Sequence, residues 1–85
     1  MYRLKFLDRA IKDLQGIDRP FQHIIKSKLE VLKQDPRALK NNIIALKGEK
    51  DLYRLRIGSY RVIFRKTELE LIILIVRIGH RKDIY

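Results

Sequence analysis

Three arginines are spaced along two predicted strands so that they should share one face of a β-hairpin. Apolar residues alternate with Arg54 and Arg56 in the first strand and with Arg61 in the second, and an alternation of period two is typical of a strand with one buried face. The Gly58-Ser59 pair between the strands suits a type II′ turn, which places Arg56 directly opposite Arg61. Like charges in this position repel each other. The pattern therefore indicates either an ordinary solvated face or a site that binds a polyanion.

Further basic residues follow the next strand. Residues 70–78 are nearly continuously apolar, which predicts a strand that is buried on both faces in the middle of the sheet. This strand should run antiparallel to the second arginine strand, so its C-terminal end returns toward the Gly58-Ser59 turn. We therefore expect the arginines to meet a second group of polar residues at one edge of the sheet, namely His80, Arg81, Lys82 and Tyr85.

His80 is the side chain in this region that is best suited to moving a proton. Histidine is the residue type whose charge changes near neutral pH, whereas arginine stays protonated under almost all conditions. His80 is therefore the candidate acid or base for a reaction at this site. The alternative, which the sequence leaves open, is a structural histidine at the edge of the sheet.

The composition favours a polyanionic partner and gives little support to a metal site. The chain has 20 Lys and Arg against 10 Asp and Glu, a net charge of +10, and no cysteine. Such a charge on so small a protein favours nucleic acid, an anionic membrane or an acidic protein as partner. Two widely separated histidines argue against a metal centre, and we expect no cofactor. The longest apolar run, residues 71–76, is too short to cross a bilayer, so we expect a cytoplasmic protein without a membrane partner.

The rest of the pattern predicts an α+β fold. An alternating strand at residues 2–6 is followed by two amphipathic helices, at residues 8–16 and 18–35, the first with Asp8 as its N-cap. Residues 41–51 are predicted to be a loop with a short apolar island. The last three strands should form an antiparallel meander in a single sheet, with the helical hairpin packed on one face.

Four motifs, in this order, resemble the RelE/ParE toxin superfamily and more specifically its RelE-like mRNA interferases. They are Leu46-Lys47-Gly48, Leu52-Tyr53-Arg54-Leu55-Arg56, Gly58-Ser59-Tyr60-Arg61-Val62-Ile63-Phe64 and Gly79-His80-Arg81-Lys82-Asp83-Ile84-Tyr85. The resemblance covers nearly the whole chain and implies one toxin domain, residues 1–85. It implies a toxin that enters the ribosomal A site, cleaves the mRNA there and is silenced by a small acidic antitoxin similar to RelB.

The resemblance also implies roles for individual residues. Arg54 and Arg56 match a basic pair on the first strand of the meander, and Arg61 matches the arginine of the next strand. Arg81 and Tyr85 match an arginine and a tyrosine in the tail. With His80, these are the expected catalytic residues. Contacts to RNA are expected from the following basic residues: Lys47, Arg54, Arg56, Arg61 and Lys82.

The reaction that this set fits is cleavage through the RNA's own 2′-hydroxyl. It needs a base for the hydroxyl proton, positive charge around the developing dianionic phosphorane, and an acid for the leaving 5′-oxygen. Fixed guanidinium groups can supply the charge without a metal, and Tyr85 could stack on a base. Relatives can carry lysine at the positions of Arg54 and Arg56. Arginine is a poor base, so the identity of the base stays open.

A rival interpretation is a member of the superfamily that inhibits by binding alone. Such a protein would bind DNA gyrase, as ParE does, or would bind RNA without cutting it. ParE-like members usually lack part of the nuclease set, whereas this chain has a competent residue at all five matched positions. The fold alone cannot decide between these functions.

Overall fold

The computed structural model describes residues 1–83 and shows one mixed β-sheet with helices on one of its faces. Along the chain the elements are β1 (Arg3–Phe6), α1 (Asp8–Gln15), α2 (Arg19–Gln34), a 3₁₀ helix (Pro36–Asn42), β2 (Ile43–Ala45), β3 (Leu52–Ile57), β4 (Tyr60–Thr67) and β5 (Ile72–His80). The α+β architecture predicted from the sequence is confirmed.

The strand order in the sheet is β1-β5-β4-β3-β2. Strands β3, β4 and β5 form the predicted antiparallel meander, and β1 pairs with β5 in parallel. Gly58 has a φ of 57°, and Arg56 pairs directly with Arg61. A positive φ at the first turn position is the requirement of a type II′ turn. Glycine at this position therefore helps to fix the register that brings the two arginines together.

The segment before the meander is more regular than predicted. The prediction of a loop at residues 41–51 is wrong in part, because the 3₁₀ helix continues to Asn42 and Ile43–Ala45 forms β2, antiparallel to β3. Three residues are too few to show a period in the sequence. This short edge strand places Ile44 directly opposite Arg54.

The hydrophobic core lies between the helices and one face of the sheet. Ala10 of α1 and Ile25 and Leu29 of α2 are buried against alternate residues of the meander. The buried residues of the sheet are Leu55, Ile57, Val62, Phe64, Ile73, Ile75 and Ile78. This arrangement confirms that the helices pack on one face. The other face of β3 and β4 carries the arginines.

Strand β5 is less buried than its apolar sequence predicts. The prediction that it is buried on both faces is wrong, because Ile73 and Ile75 are fully buried but Ile72 and Leu74 are only half-buried. Ile72 and Leu74 lie on the face away from the helices, beside β1 and β4. An apolar run shows that a strand lies inside a sheet but not how many layers cover it.

A β-bulge in β5 changes which of its residues face the helices. Phe64 pairs with Ile75 whereas Ile63 pairs with Arg77, so β5 has one extra residue at Val76. An extra residue moves every later side chain to the opposite face. Ile78 is consequently buried in the core, and His80, two residues later, lies on the same side of the sheet.

The first helix begins slightly earlier than predicted. Leu7 is the N-cap of α1 and Asp8 is its first helical residue, so the prediction of Asp8 as the N-cap is wrong by one position. A carboxylate in the first turn still interacts favourably with the helix dipole. The second helix has Asp18 as its N-cap, with Pro20 in the first turn, where a missing N–H is tolerated.

Asp13 ties α1 to the end of β5. Strand β1 ends at Phe6, opposite Ile75. Beyond that point the Asp13 side chain, and not a strand, accepts a backbone hydrogen bond from β5. Oδ2 of Asp13 accepts hydrogen bonds from the backbone N–H of Ile78 and from Nε of Arg77, both at 2.9 Å. Burial works to raise the pKa of the Asp13 carboxyl, but these bonds outweigh it and lower the pKa below its ordinary value.

We expect Asp13→Asn to destabilise the fold and to change its acid sensitivity. Loss of charge-assisted hydrogen bonds at a side chain that is 12% exposed should reduce the free energy of unfolding by about 1–3 kcal/mol. The folded pKa is depressed, so this stabilisation is present above the unfolded value of about 3.9 and is lost as pH falls toward the folded value. Urea unfolding from pH 7 to pH 2.5 measures both effects. Glu70→Gln is the control, because Glu70 is exposed and lies outside the helices and strands, and equal stabilities of the two variants at pH 7 would contradict the assignment.

Candidate functional site

Arg54, Arg56 and Arg61 form a cluster on the face of the sheet away from the helices. Arg56 and Arg61 are direct cross-strand partners, and Arg54 is two residues before Arg56 on the same face. The residues that alternate with them, including Leu55 and Val62, are buried in the core. Because these alternate residues are buried on one face, the arginines must lie on the other face of the sheet. We call these three residues the arginine cluster.

The arginine cluster lines a shallow groove of ≈ 270 Å³. Its other walls are Asn41 and Asn42, at the end of the 3₁₀ helix, and Ile44 of β2. Among residues 1–83, none of those that line the groove is acidic. A groove with three guanidinium groups and no carboxylate in its lining attracts anions, and phosphate in particular.

The groove holds its arginines in different ways. Nη1 of Arg61 donates to the carbonyl oxygens of Gly58 and Tyr60, both at 2.9 Å. These bonds use one of the three guanidinium nitrogens and hold the group against the β3–β4 turn. The Arg56 side chain is exposed and makes no hydrogen bond or ion pair within the described residues. One fixed and one available guanidinium, side by side, can bind a phosphate from two directions.

The segment after β5 returns to the same end of the sheet. The N–H of Arg81 donates to the carbonyl of Ser59 at 2.8 Å, which places the Arg81 backbone beside the β3–β4 turn. Arg81 and Lys82 are both exposed. A turn closes after them, with the N–H of Asp83 bonded to the carbonyl of His80 at 2.8 Å. Tyr85 lies outside the described residues.

His80 does not join the arginine cluster. It pairs with Tyr60 across β4 and β5, and paired residues share a face. Its ring meets the Tyr60 ring edge-on with centroids 5.6 Å apart, and Tyr60 contacts Phe21 of α2. Nδ1 of His80 accepts from the N–H of Lys82 at 3.2 Å. The expectation that His80 converges with Arg56 and Arg61 is therefore wrong for the side chain, which lies on the helix side of the sheet.

Lys47 is also separate from the groove. It lies in the turn between β2 and β3, whereas the Gly58-Ser59 turn is at the other end of β3. Lys47 is exposed and is not among the residues that line the groove, so a contact between Lys47 and RNA stays a prediction.

Further basic residues, which the sequence pattern did not single out, extend the arginine face toward β1. Arg65 lies two residues beyond Ile63 on the same side of β4, and its partner Leu74 is opposite Lys5 of β1. Lys5 and Arg3 are exposed. The alternation of these residues with apolar ones was visible in the sequence, but their alignment with the arginine cluster depends on the parallel pairing of β1 with β5.

Within residues 1–83 there is no group of three or more His, Asp or Glu side chains that could hold a metal ion. None of the helices in that range is long and apolar enough to cross a bilayer.

Comparisons with known proteins define the class to which this arrangement belongs. A family model described as the ParE toxin of the type II toxin–antitoxin system parDE matches residues 4–85. A protein of Escherichia coli described as a RelE-like toxin is 31% identical over 99% of this chain and 90% of its own length. Toxin RelE1 of Methanocaldococcus jannaschii is 32% identical, with 99% and 94% covered.

Solved structures give the same fold. RelE from the RelE–RelB complex of Pyrococcus horikoshii superposes with a TM-score of 0.82 at 28% identity, covering 96% of this chain and 97% of the other. A chain of the E. coli RelBE complex gives a TM-score of 0.80 at 24% identity, with 94% and 96% covered, which supports the fold alone. The chain belongs to the RelE/ParE superfamily. It is a RelE-like toxin of a type II toxin–antitoxin system.

Proposed function

We propose that this toxin is a ribosome-dependent endoribonuclease that cleaves mRNA in the A site and so stops translation. The observation that carries the proposal is the direct pairing of Arg56 with Arg61 in a groove whose lining, within residues 1–83, includes no acid. Like charges placed opposite each other destabilise a sheet. A function that needs both charges explains why the fold tolerates them.

The chemistry follows from the charge. The 2′-oxygen of one nucleotide attacks the adjacent phosphorus, the bond to the 5′-oxygen of the next nucleotide breaks, and a 2′,3′-cyclic phosphate and a 5′-hydroxyl remain. The phosphorane that forms on the way carries more negative charge than the substrate. Arg61 and Arg56 stabilise that extra charge, and Arg54 and Arg81 hold neighbouring phosphates. Tyr85 orients a base by stacking.

The position of His80 affects how the protons move. Its ring packs on Tyr60 on the helix side, whereas the phosphate would be bound on the arginine face. Because arginine does not lose its proton near neutral pH, the 2′-hydroxyl proton passes to water or to a group of the ribosome, and the leaving 5′-oxygen takes its proton from the same kind of source. If a ribosomal group takes part in these proton transfers, the toxin should cleave mRNA on the ribosome and cut free RNA little.

We expect His80→Gln to cleave at close to the wild-type rate with an unchanged pH profile. Loss of a true general acid or base costs about a hundred- to ten-thousandfold. Single-turnover cleavage on programmed ribosomes between pH 5.5 and pH 8.5 distinguishes the two roles. A slow variant with a flattened profile would restore His80 as the proton-transfer group.

An acidic antitoxin similar to RelB is the expected partner. The related toxins of E. coli and P. horikoshii were solved as complexes with RelB, and a net charge of +10 favours an acidic partner. We propose that the antitoxin covers the arginine cluster with an acidic segment, as a helix or an added strand. The toxin then acts in the cytoplasm, where the ribosomes are.

The second candidate is inhibition by binding alone. It is favoured by the description of the matching family model as ParE. Mapping of mRNA 5′ ends after induction, together with measurement of gyrase-dependent DNA breaks, separates the two. Our proposal requires new mRNA ends within translated codons. Growth arrest with DNA breaks and intact mRNA would contradict the proposal and would indicate that the toxin poisons gyrase.

A further inference from the structure

The groove at the arginine cluster has a wall that phosphate binding does not need. Besides the arginines, it is lined by Asn41, Asn42 and Ile44. Guanidinium groups supply both the charge and the donors that a phosphate requires. The volume of ≈ 270 Å³ is just below the range of about 300–1,000 Å³ for small-ligand sites, so the groove suits one nucleotide rather than a longer segment.

The two asparagines carry amide groups that the fold does not use. Within residues 1–83 neither side chain makes a hydrogen bond, although Asn42 is half-buried. An amide presents a donor and an acceptor side by side. The edge of a nucleobase does the same, whereas a phosphate oxygen only accepts. The amides therefore match a base better than they match the backbone of RNA.

Ile44 and Arg54 provide the flat contacts that a base needs. They are direct partners across β2 and β3, so their side chains lie next to each other at the edge of the sheet. Ile44 is 49% exposed, so its apolar side chain is accessible to a ligand in the groove. An apolar surface and a guanidinium plane can each cover the face of a base.

We propose that Asn41, Asn42 and Ile44 form a base-reading subsite that sets which mRNA sequences are cleaved. The inference rests on the proposed cleavage: the arginine cluster holds the scissile phosphate, and the subsite selects the adjoining nucleotide by its edge. The asparagines determine the relative cleavage rates of different mRNA sequences, whereas the arginines raise the cleavage rate of every sequence.

The first test compares cleavage profiles of the wild type and of the double variant Asn41→Ala/Asn42→Ala. Loss of edge contacts should shrink the ratio of rates between the most and least preferred codons by about five- to hundredfold. Gln34→Ala removes an exposed amide from a different cleft and should leave the profile unchanged. A double variant that slows all sites equally would show that the amides bind phosphate or support the fold, and would overturn the proposal.

The second test does not depend on cleavage. Asn41 and Asn42 are the only asparagines in the chain, so selective ¹⁵N labelling gives side-chain signals from these two residues alone. Addition of short single-stranded RNAs of different base composition should shift both signals, by amounts that depend on the base. Signals that ignore RNA, or that respond equally to every RNA and to inorganic phosphate, would overturn the base-reading role.

The two tests separate this inference from the proposed function. If the wild type cleaves mRNA and the double variant cleaves it with the same profile, the proposed endonuclease activity stands and the proposed subsite is refuted. If the wild type cuts nothing on the ribosome but its amide signals shift in a base-dependent way, the subsite stands and the endonuclease activity is refuted. The protein would then be an inhibitor that binds RNA.

Discussion

Replacement of Arg61 by alanine should reduce cleavage on the ribosome by about a hundredfold or more, with ribosome binding largely intact. One donor aimed at developing charge is typically worth about a hundred- to a thousandfold in rate. The Arg61 guanidinium is held against the β3–β4 turn by hydrogen bonds to the carbonyl oxygens of Gly58 and Tyr60. A group that is already in place stabilises a transition state without first being ordered.

The measurement is single-turnover cleavage of mRNA on programmed ribosomes, combined with a pull-down of ribosomes. Arg61 also supports the turn, so thermal unfolding must show that the variant is folded. Arg61→Lys keeps the charge but loses the planar fork, and should recover part of the activity. The exposed Arg19→Ala changes the charge by the same amount at the start of α2 and should cleave normally. Undiminished cleavage by a folded Arg61→Ala protein would remove Arg61 from the mechanism.

Arg56→Glu should stabilise the protein and abolish its activity. Arg56 lies directly opposite Arg61, so a carboxylate there replaces a cross-strand repulsion by an ion pair. Such pairs contribute about 0.2–1 kcal/mol, which should raise the midpoint of thermal unfolding. The same change removes one charge from the groove and neutralises a second. We therefore expect cleavage to fall by more than about a hundredfold.

Arg56→Gln is the matched control, because it removes the repulsion without adding an ion pair. It should be intermediate in both stability and activity. The repulsion is a property of two exposed or half-exposed groups, so 1 M salt should reduce the difference in stability between the three proteins. A glutamate variant that is less stable than the wild type would show that the two arginines do not strain the sheet.

The arginine hairpin could be predicted from the sequence because its signals are local. Alternation fixed the faces of Arg54, Arg56 and Arg61, and a glycine that tolerates positive φ fixed their register. Both signals lie within a dozen residues of the chain. No distant contact was needed to interpret them.

The position of His80 could not be predicted in this way. Strict alternation from Ile73 and Ile75 puts even-numbered residues, His80 among them, on the arginine face. The bulge at Val76 reverses that order, and no residue type in the apolar run marks it. The groove wall was missed for a related reason, since β2 has three residues and Ile44 meets Arg54 only through pairing with β3.

The central claim is that the arginine cluster cleaves mRNA within the ribosomal A site. The direct measurement uses the purified toxin, ribosomes with a defined A-site codon, and mRNA either all-ribose or with one 2′-deoxy nucleotide at the cut site. We expect a cut within that codon that leaves a 2′,3′-cyclic phosphate and a 5′-hydroxyl, no cut in the deoxy mRNA, and little cutting of free mRNA. Translation that stops while the A-site codon stays intact would contradict it.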